Sequence, residues 1–278
     1  MVAQSKGRMA RGPVERLVLR DRWIVAGAMA VIVALAALYT YVGVGMSMSA
    51  LDMTRMAGSI GEPMKMGAGT VWAPGYWVLN FLMWWVMMIA MMTPSAAPTL
   101  LLYTAIKRVG PNQNKAVLFS FFFLGGYLLA WAGFSVFASS LQWASETTGL
   151  TDATMMTLKS RNFGAIVLIL AGAYQFSGLK DSCLAHCRAP AQFLADHSRP
   201  GHWGALRTGA HHGAHCLGCC WVLMALLFVG GIMNLYWIGG LALYVLVEKI
   251  VVGGRFFARI SGVVLIFVGA WLLLPLSV

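Results

Sequence analysis

Five cysteines fall between residues 183 and 220 of this 278-residue chain, at the spacing of metal ligands. Cys183 and Cys187 stand in SCLAHC, and Cys216, Cys219 and Cys220 follow in HHGAHCLGCCW. Residues four apart on a helix lie one above the other. Cys183 and Cys187 therefore share a face if their helix continues past Lys180, and His212, Cys216 and Cys220 form a second ladder with Cys219 beside it. Two facing helices would offer four or five donors from among these six residues. Four sulfurs, or three and an imidazole, suit zinc, whereas two or three thiolates suit the softer copper(I). Copper(I) is the favoured ion and zinc the second. Thiolates bind metal only when deprotonated, and Lys180, Arg188 and Arg207 are near enough in sequence to stabilise the anion. A single buried cysteine is ordinarily a small hydrophobe; five beside histidines point instead to a functional site.

The segment 188–213 between the two groups reads as a loop carrying His197, His202, His211 and His212, with His186 and His215 at its borders. His-rich tracts suggest metal capture. A solvated loop histidine is more often inert, so only His212 joins the ligand candidates.

Methionine is the second signal, with eighteen in the chain. Thioethers need no deprotonation and form no disulfides, so they can hold copper(I) where thiols would oxidise. Met46 and Met48, and again Met64 and Met66, make M-x-M pairs in a Met-rich segment, 46–75, that follows the first apolar run; they are candidates for capture on the outer side. Met83, Met87 and Met91 recur at four-residue spacing with Met88 and Met92 beside them, a candidate metal path. Packing is the ordinary role of such a stripe.

These residues sit in a chain that is 59% hydrophobic and 10% charged, against roughly 45–50% and 25% in soluble domains. The composition implies an all-α integral membrane protein. About 20 apolar residues cross ~30 Å of hydrocarbon, and seven runs qualify: 23–45, 76–104, 116–140, 163–179, 214–232, 235–251 and 260–277. Between the fifth and sixth only Gly231 to Leu235 is available as a turn, so a helical hairpin is expected there. The organisation is a basic cytoplasmic segment, 1–22, and one membrane domain, 23–278, with a Cys/His-rich cytoplasmic segment at 180–220.

Lys and Arg are retained on the cytoplasmic side. With the N-terminus inside, sixteen of the twenty fall on that side, and Arg55, Lys65, Lys159 and Arg161 on the other, which places the C-terminus outside. Basic flanks facing anionic lipid account for most of the net charge of +11, and no nucleic-acid motif appears. The first apolar run is longer than a secretory h-region and lacks an A-x-A site, so it reads as an uncleaved helix. Cytoplasmic thiols stay reduced, and five cannot all pair within one chain. Glu248 is expected to pair with Lys249, Arg255 or a lipid headgroup. No P-loop, dinucleotide fingerprint, HExxH or Ser-His-Asp arrangement occurs, and no internal repeat supports an inverted-repeat transporter.

MMIAMMTPSAAP at 87–98, CLAHCRAP at 183–190 and HHGAHCLGCCWVLMALLFVGGIMNLYWIGGLALYVLVEK at 211–249 together resemble a bacterial family of uncharacterised, predicted metal-binding integral membrane proteins. The resemblance runs from about Trp72 to Lys249. It implies a multi-pass protein of the cell inner membrane whose shared polar set is Cys183, Cys187, His212, Cys216, Cys219 and Cys220, with Met87, Met88, Met91 and Met92 in the matching methionine motif. The expected function is copper(I) capture, transfer or delivery for cofactor assembly, with a soluble metal chaperone or a metalloenzyme as partner. The alternatives are a membrane thiol-redox or oxidase-associated subunit, and a membrane scaffold with a structural zinc site.

Overall fold

A computed structural model of the chain describes residues 13–43, 49–56, 74–109, 113–151, 157–158, 160–251 and 253–274. The methionine pairs Met46/Met48 and Met64/Met66 lie outside them. Eleven α-helices are found among the described residues: α1 (Pro13–Val42), α2 (Ala50–Met56), α3 (Pro74–Val109), α4 (Ala116–Thr147), α5 (Arg161–Tyr174), α6 (Gly178–Arg188), α7 (Pro190–His197), α8 (Gly201–Ala225), α9 (Leu227–Gly230), α10 (Leu235–Ile250) and α11 (Gly254–Leu273).

Five stretches are long and apolar enough to cross a membrane: Arg20–Val42, Pro74–Val109, Gln113–Thr147, Gly201–Gly230 and Gly254–Leu273. The pair α5 and α6, bent by 62° at the break between them, makes a sixth if taken as one span. α10, expected as a further span, has 16 residues, about 24 Å at 1.5 Å per residue and so short of the ~30 Å hydrocarbon thickness.

Two helix pairings organise the molecule. In the first, α4 lies against α8 with almost no side chain between the backbones: a Cβ at Gly209 would overlap the carbonyl of Phe123, and one at Gly126 the carbonyl of Leu206. Small residues permit this approach. In the second, α5 and α11 meet in the same way, Gly172 against Gly262 and Gly269 against the backbone of Ala165. α3 completes the centre, packed on α1 and α4, and Arg108 near its end pairs at 3.0 Å with the buried Asp21 of α1.

The helix carrying Cys183 and Cys187 does not continue from the one before it. The chain turns at Gln175–Ser177, and Ser177 caps a new helix by accepting from the Lys180 amide at 3.2 Å, the usual role of serine at a helix start. Nor is 188–213 a loop. Pro190 opens α7 at its first position, where a missing N–H costs nothing, and α8 begins at Gly201 and runs unbroken past the cysteines. The expected turn between α9 and α10 is present, with Gly231 at φ 94° and the Asn234 side chain capping α10 by accepting from Tyr236.

Candidate metal centre

Cys216, Cys219 and Cys220 lie midway along α8 and are fully buried. Close packing on α4 aims this face at Tyr127, whose hydroxyl is 3.1 Å from the Cys216 sulfur and 2.9 Å from the Met92 carbonyl. α10 runs back from the turn at Gly231–Asn234, so its last residues return to the level of the thiols. Lys249 there donates to the Cys216 sulfur at 2.8 Å and to the Ser95 hydroxyl at 3.1 Å. One buried sulfur thus receives a full positive charge and stands beside a hydroxyl, surroundings that compensate negative charge on it.

α6 crosses α8 at the same level. The Cys187 thiol lies beside those of Cys216 and Cys219, and the Cys220 thiol beside the same two. Cys219 and Cys220 also donate back to the Cys216 carbonyl at 3.0 and 2.9 Å. Cys183, half-buried, rests on Gly218, where a Cβ would fall 2.6 Å from its sulfur. All five cysteines are free. Among the described residues no three His, Cys, Asp or Glu side chains stand in an arrangement ready to hold a metal. The sulfurs are neighbours bonded to carbonyls, an ammonium and one another, so a metal ion would have to exchange for those hydrogen bonds.

His212 points into the same region, 2% exposed, its ring 5.8 Å from that of Tyr127 and 5.2 Å from that of Phe193. Its Nδ1 is buried without a hydrogen-bond partner. Such an orphaned nitrogen is uncommon and fits a ligand position. The methionines of α3 all face inward: Met83, Met87, Met88, Met91 and Met92 are each at most 3% exposed. The stripe spans ten residues, about 14 Å, and Met92 at its C-terminal end is tied through its carbonyl to the tyrosine that meets Cys216.

The charges near the site are distributed otherwise than expected. Lys180 pairs with Glu248 at 2.7 Å, both wholly buried, and its ammonium also donates to the Gln175 side chain. Arg188 donates to the Val251 carbonyl at 2.6 Å, and Arg255 faces Asp181 at 3.9 Å. Glu248 is therefore bound to Lys180 and not to Lys249 or Arg255, which frees Lys249 for the thiols. Lys249, Tyr127 and Ser95 are the site residues that sequence reasoning missed. Only Lys249 left a signal, a basic residue ending an otherwise apolar helix.

Comparison with known proteins adds one finding. A family model described as PpoB2, copper chaperone, matches residues 81–272. No curated protein and no solved structure gives a match.

Proposed function

For a chain that belongs to the PpoB2 copper chaperone family, we propose that the thiols of Cys187, Cys216, Cys219 and Cys220 take copper(I) as cargo within a membrane and pass it on by exchange of ligands. The observation that carries this reading is the contact of the buried Lys249 with the fully buried Cys216. Copper(I) between two thiolates bears a single net negative charge, which one ammonium neutralises. Zinc among four thiolates bears a double charge, and one ammonium leaves half of it uncompensated. Buried charge is costly unless balanced, so the cavity disfavours zinc among four thiolates. Zinc among three thiolates and the His212 imidazole would carry the same single charge as copper(I) between two, and between those the match to a copper chaperone family favours copper.

Two-coordinate copper(I) can move among four adjacent sulfurs without leaving the soft donor set. His212 supplies a further neutral donor at the edge. Cys183, lying on Gly218 at the half-buried side of α6, is the thiol through which an ion would leave. The inward methionines of α3 form the proposed path toward the far face, with the pairs Met46/Met48 and Met64/Met66 as its capture site. The apolar side chains that α11 leaves exposed, Phe256, Val263, Phe267 and Trp271 among them, support a lipid surround, since a soluble chain rarely shows so large an apolar face. Oriented by its basic residues, the chain has its N-terminus in the cytoplasm and lies in a bacterial inner membrane. A soluble metal chaperone or a metalloenzyme is the proposed partner.

Metal content of anaerobically purified protein tests the reading, with wild type beside Cys216→Ser and Cys187→Ser. Near-stoichiometric copper in wild type and its loss in both variants is the expected result. Zinc in place of copper would turn the site into a structural staple between α6 and α8, and no metal at all would sink the metal reading.

A further inference from the structure

The thiols that would carry copper are wholly buried at Cys216, Cys219 and Cys220, so an ion arriving from outside the bundle must first meet something else. A second set of donors lies beside them on the same helices. His186 of α6, His197 of α7, and His211 and His215 of α8 form one patch. The rings of His186 and His215 are stacked, with centroids 4.2 Å apart and planes 5° from parallel. His197 and His211 are 4.6 Å apart, and His211 and His215 4.8 Å.

Four imidazoles from three helices are not explained by packing alone, because any two that become protonated repel each other. Two of them are also oriented as ligands usually are. Nδ1 of His186 lies 2.8 Å from the Ser182 carbonyl and Nδ1 of His197 lies 3.1 Å from the Phe193 carbonyl. A carbonyl accepts, so each Nδ1 carries the hydrogen and each Nε2 presents a lone pair, the orientation that metal-binding histidines take from such partners. Nε2 of His215 is buried and has no hydrogen-bond partner.

The patch adjoins the thiol site at two points in the chain. His186 directly precedes Cys187, and His215 directly precedes Cys216. The Phe193 ring lies between, 6.0 Å from the ring of His215 and 5.2 Å from that of His212. His211 is exposed and His186, His197 and His215 are half-buried, so the patch is open to a donor or acceptor that cannot reach the three buried sulfurs of α8.

We infer that His186, His197, His211 and His215 form a second copper site, a surface landing position from which the ion passes to the buried thiols. This rests on the copper reading of the thiols. Imidazole accepts copper readily, and neutral donors hold copper(I) without building up negative charge, so the ion is free to move inward to thiolate. In the stacked arrangement the lone pairs do not converge, and binding turns the rings toward a shared point; imidazole torsions are broad and soft, and three of the four rings are only half-buried.

The test is an anaerobic titration of the full chain in detergent with copper(I) against a coloured copper(I) chelator, followed by X-ray absorption at the copper edge. The expected result is a first equivalent with sulfur scattering and a second with nitrogen scattering. His197→Gln combined with His211→Gln should remove the second equivalent and leave the first, and Cys216→Ser should do the reverse. His211→Gln alone, at an exposed position, should weaken the second equivalent and serves if the pair does not fold. A single sulfur-bound equivalent that the histidine substitutions leave unchanged overturns this inference while the thiol reading stands. No bound copper in wild type overturns both.

Discussion

α8 carries two kinds of donor on two faces about 100° apart, the angle between consecutive helical residues. One face holds His212, Cys216, Cys219 and Cys220, all buried, and the other holds His211 and His215, exposed and half-buried. The thiol face is fixed from every side, by the Tyr127 hydroxyl, the Lys249 ammonium and the α6 thiol. The imidazole face is held only by ring contacts and two carbonyls. The difference teaches that position relative to neighbouring helices, more than residue type, decides which donors are rigid and enclosed and which can still move.

If the thiol face is rigid because its supports are buried, disturbing a support should cost far more than disturbing an imidazole. Lys180→Met removes the ammonium from a wholly buried pair and leaves Glu248 uncompensated. It should lower unfolding stability in detergent by about 3–5 kcal/mol, and adding Glu248→Met should restore most of that. Recovery failing to appear would mean that the pair does more than hold α6 to α10. Gly209→Val forces a side chain into the α4 backbone and should cost about 1–3 kcal/mol, seen as a lower thermal midpoint together with weaker copper retention.

Effects on copper alone should be smaller. Lys249→Met should weaken copper(I) binding about 10–100-fold, as loss of a supporting partner does at other metal sites, while Lys249→Arg should retain part of it; equal affinity in all three forms would remove the charge-balance argument. Acidification should weaken retention at the thiols, because protons compete with the metal for sulfur, and the chelator titration repeated across pH reads this directly. In the imidazole patch, His197→Gln on α7 should change unfolding stability by no more than about 0.5 kcal/mol. A large loss there would make the imidazole patch a structural element and erase the contrast.

The helical class and the involvement of copper, which the family match supports, were legible in the sequence, since both expectations rest on composition and local spacing. The second ladder of α8 was legible for the same reason: His212, Cys216 and Cys220 occupy one face of a helix wherever that helix lies. The first half of α8 was not. Its sequence, GHWGALRTGAHHGAH, contains four glycines, poor helix formers by propensity, and reads as loop. Glycine is there because Gly209 and Gly213 meet α4 with no room for a side chain, a tertiary reason that local pattern cannot reveal. Reading that stretch as a loop also hid the imidazole patch, whose four members converge only once α6, α7 and α8 are folded against each other. The break after Tyr174 had a visible mark in Ser177 followed by Gly178, which the apolar run before it outweighed. Lys249 was hidden for another reason. Charge-pair reasoning gave it to the adjacent Glu248, whereas the fold gives that carboxylate to Lys180, about seventy residues earlier.

The contact between Lys249 and Cys216 also has a consequence in time. The sulfurs of α8 leave the ribosome about thirty residues before the ammonium that balances them, and α10 must travel the depth of the bundle to bring it back. A nascent chain that has made its cysteines but not its final helices offers bare thiols with no counter-charge. On the proposed copper reading, productive loading belongs to the finished protein, and a truncation just before Lys249 would yield a chain with every sulfur present and no completed place for the ion.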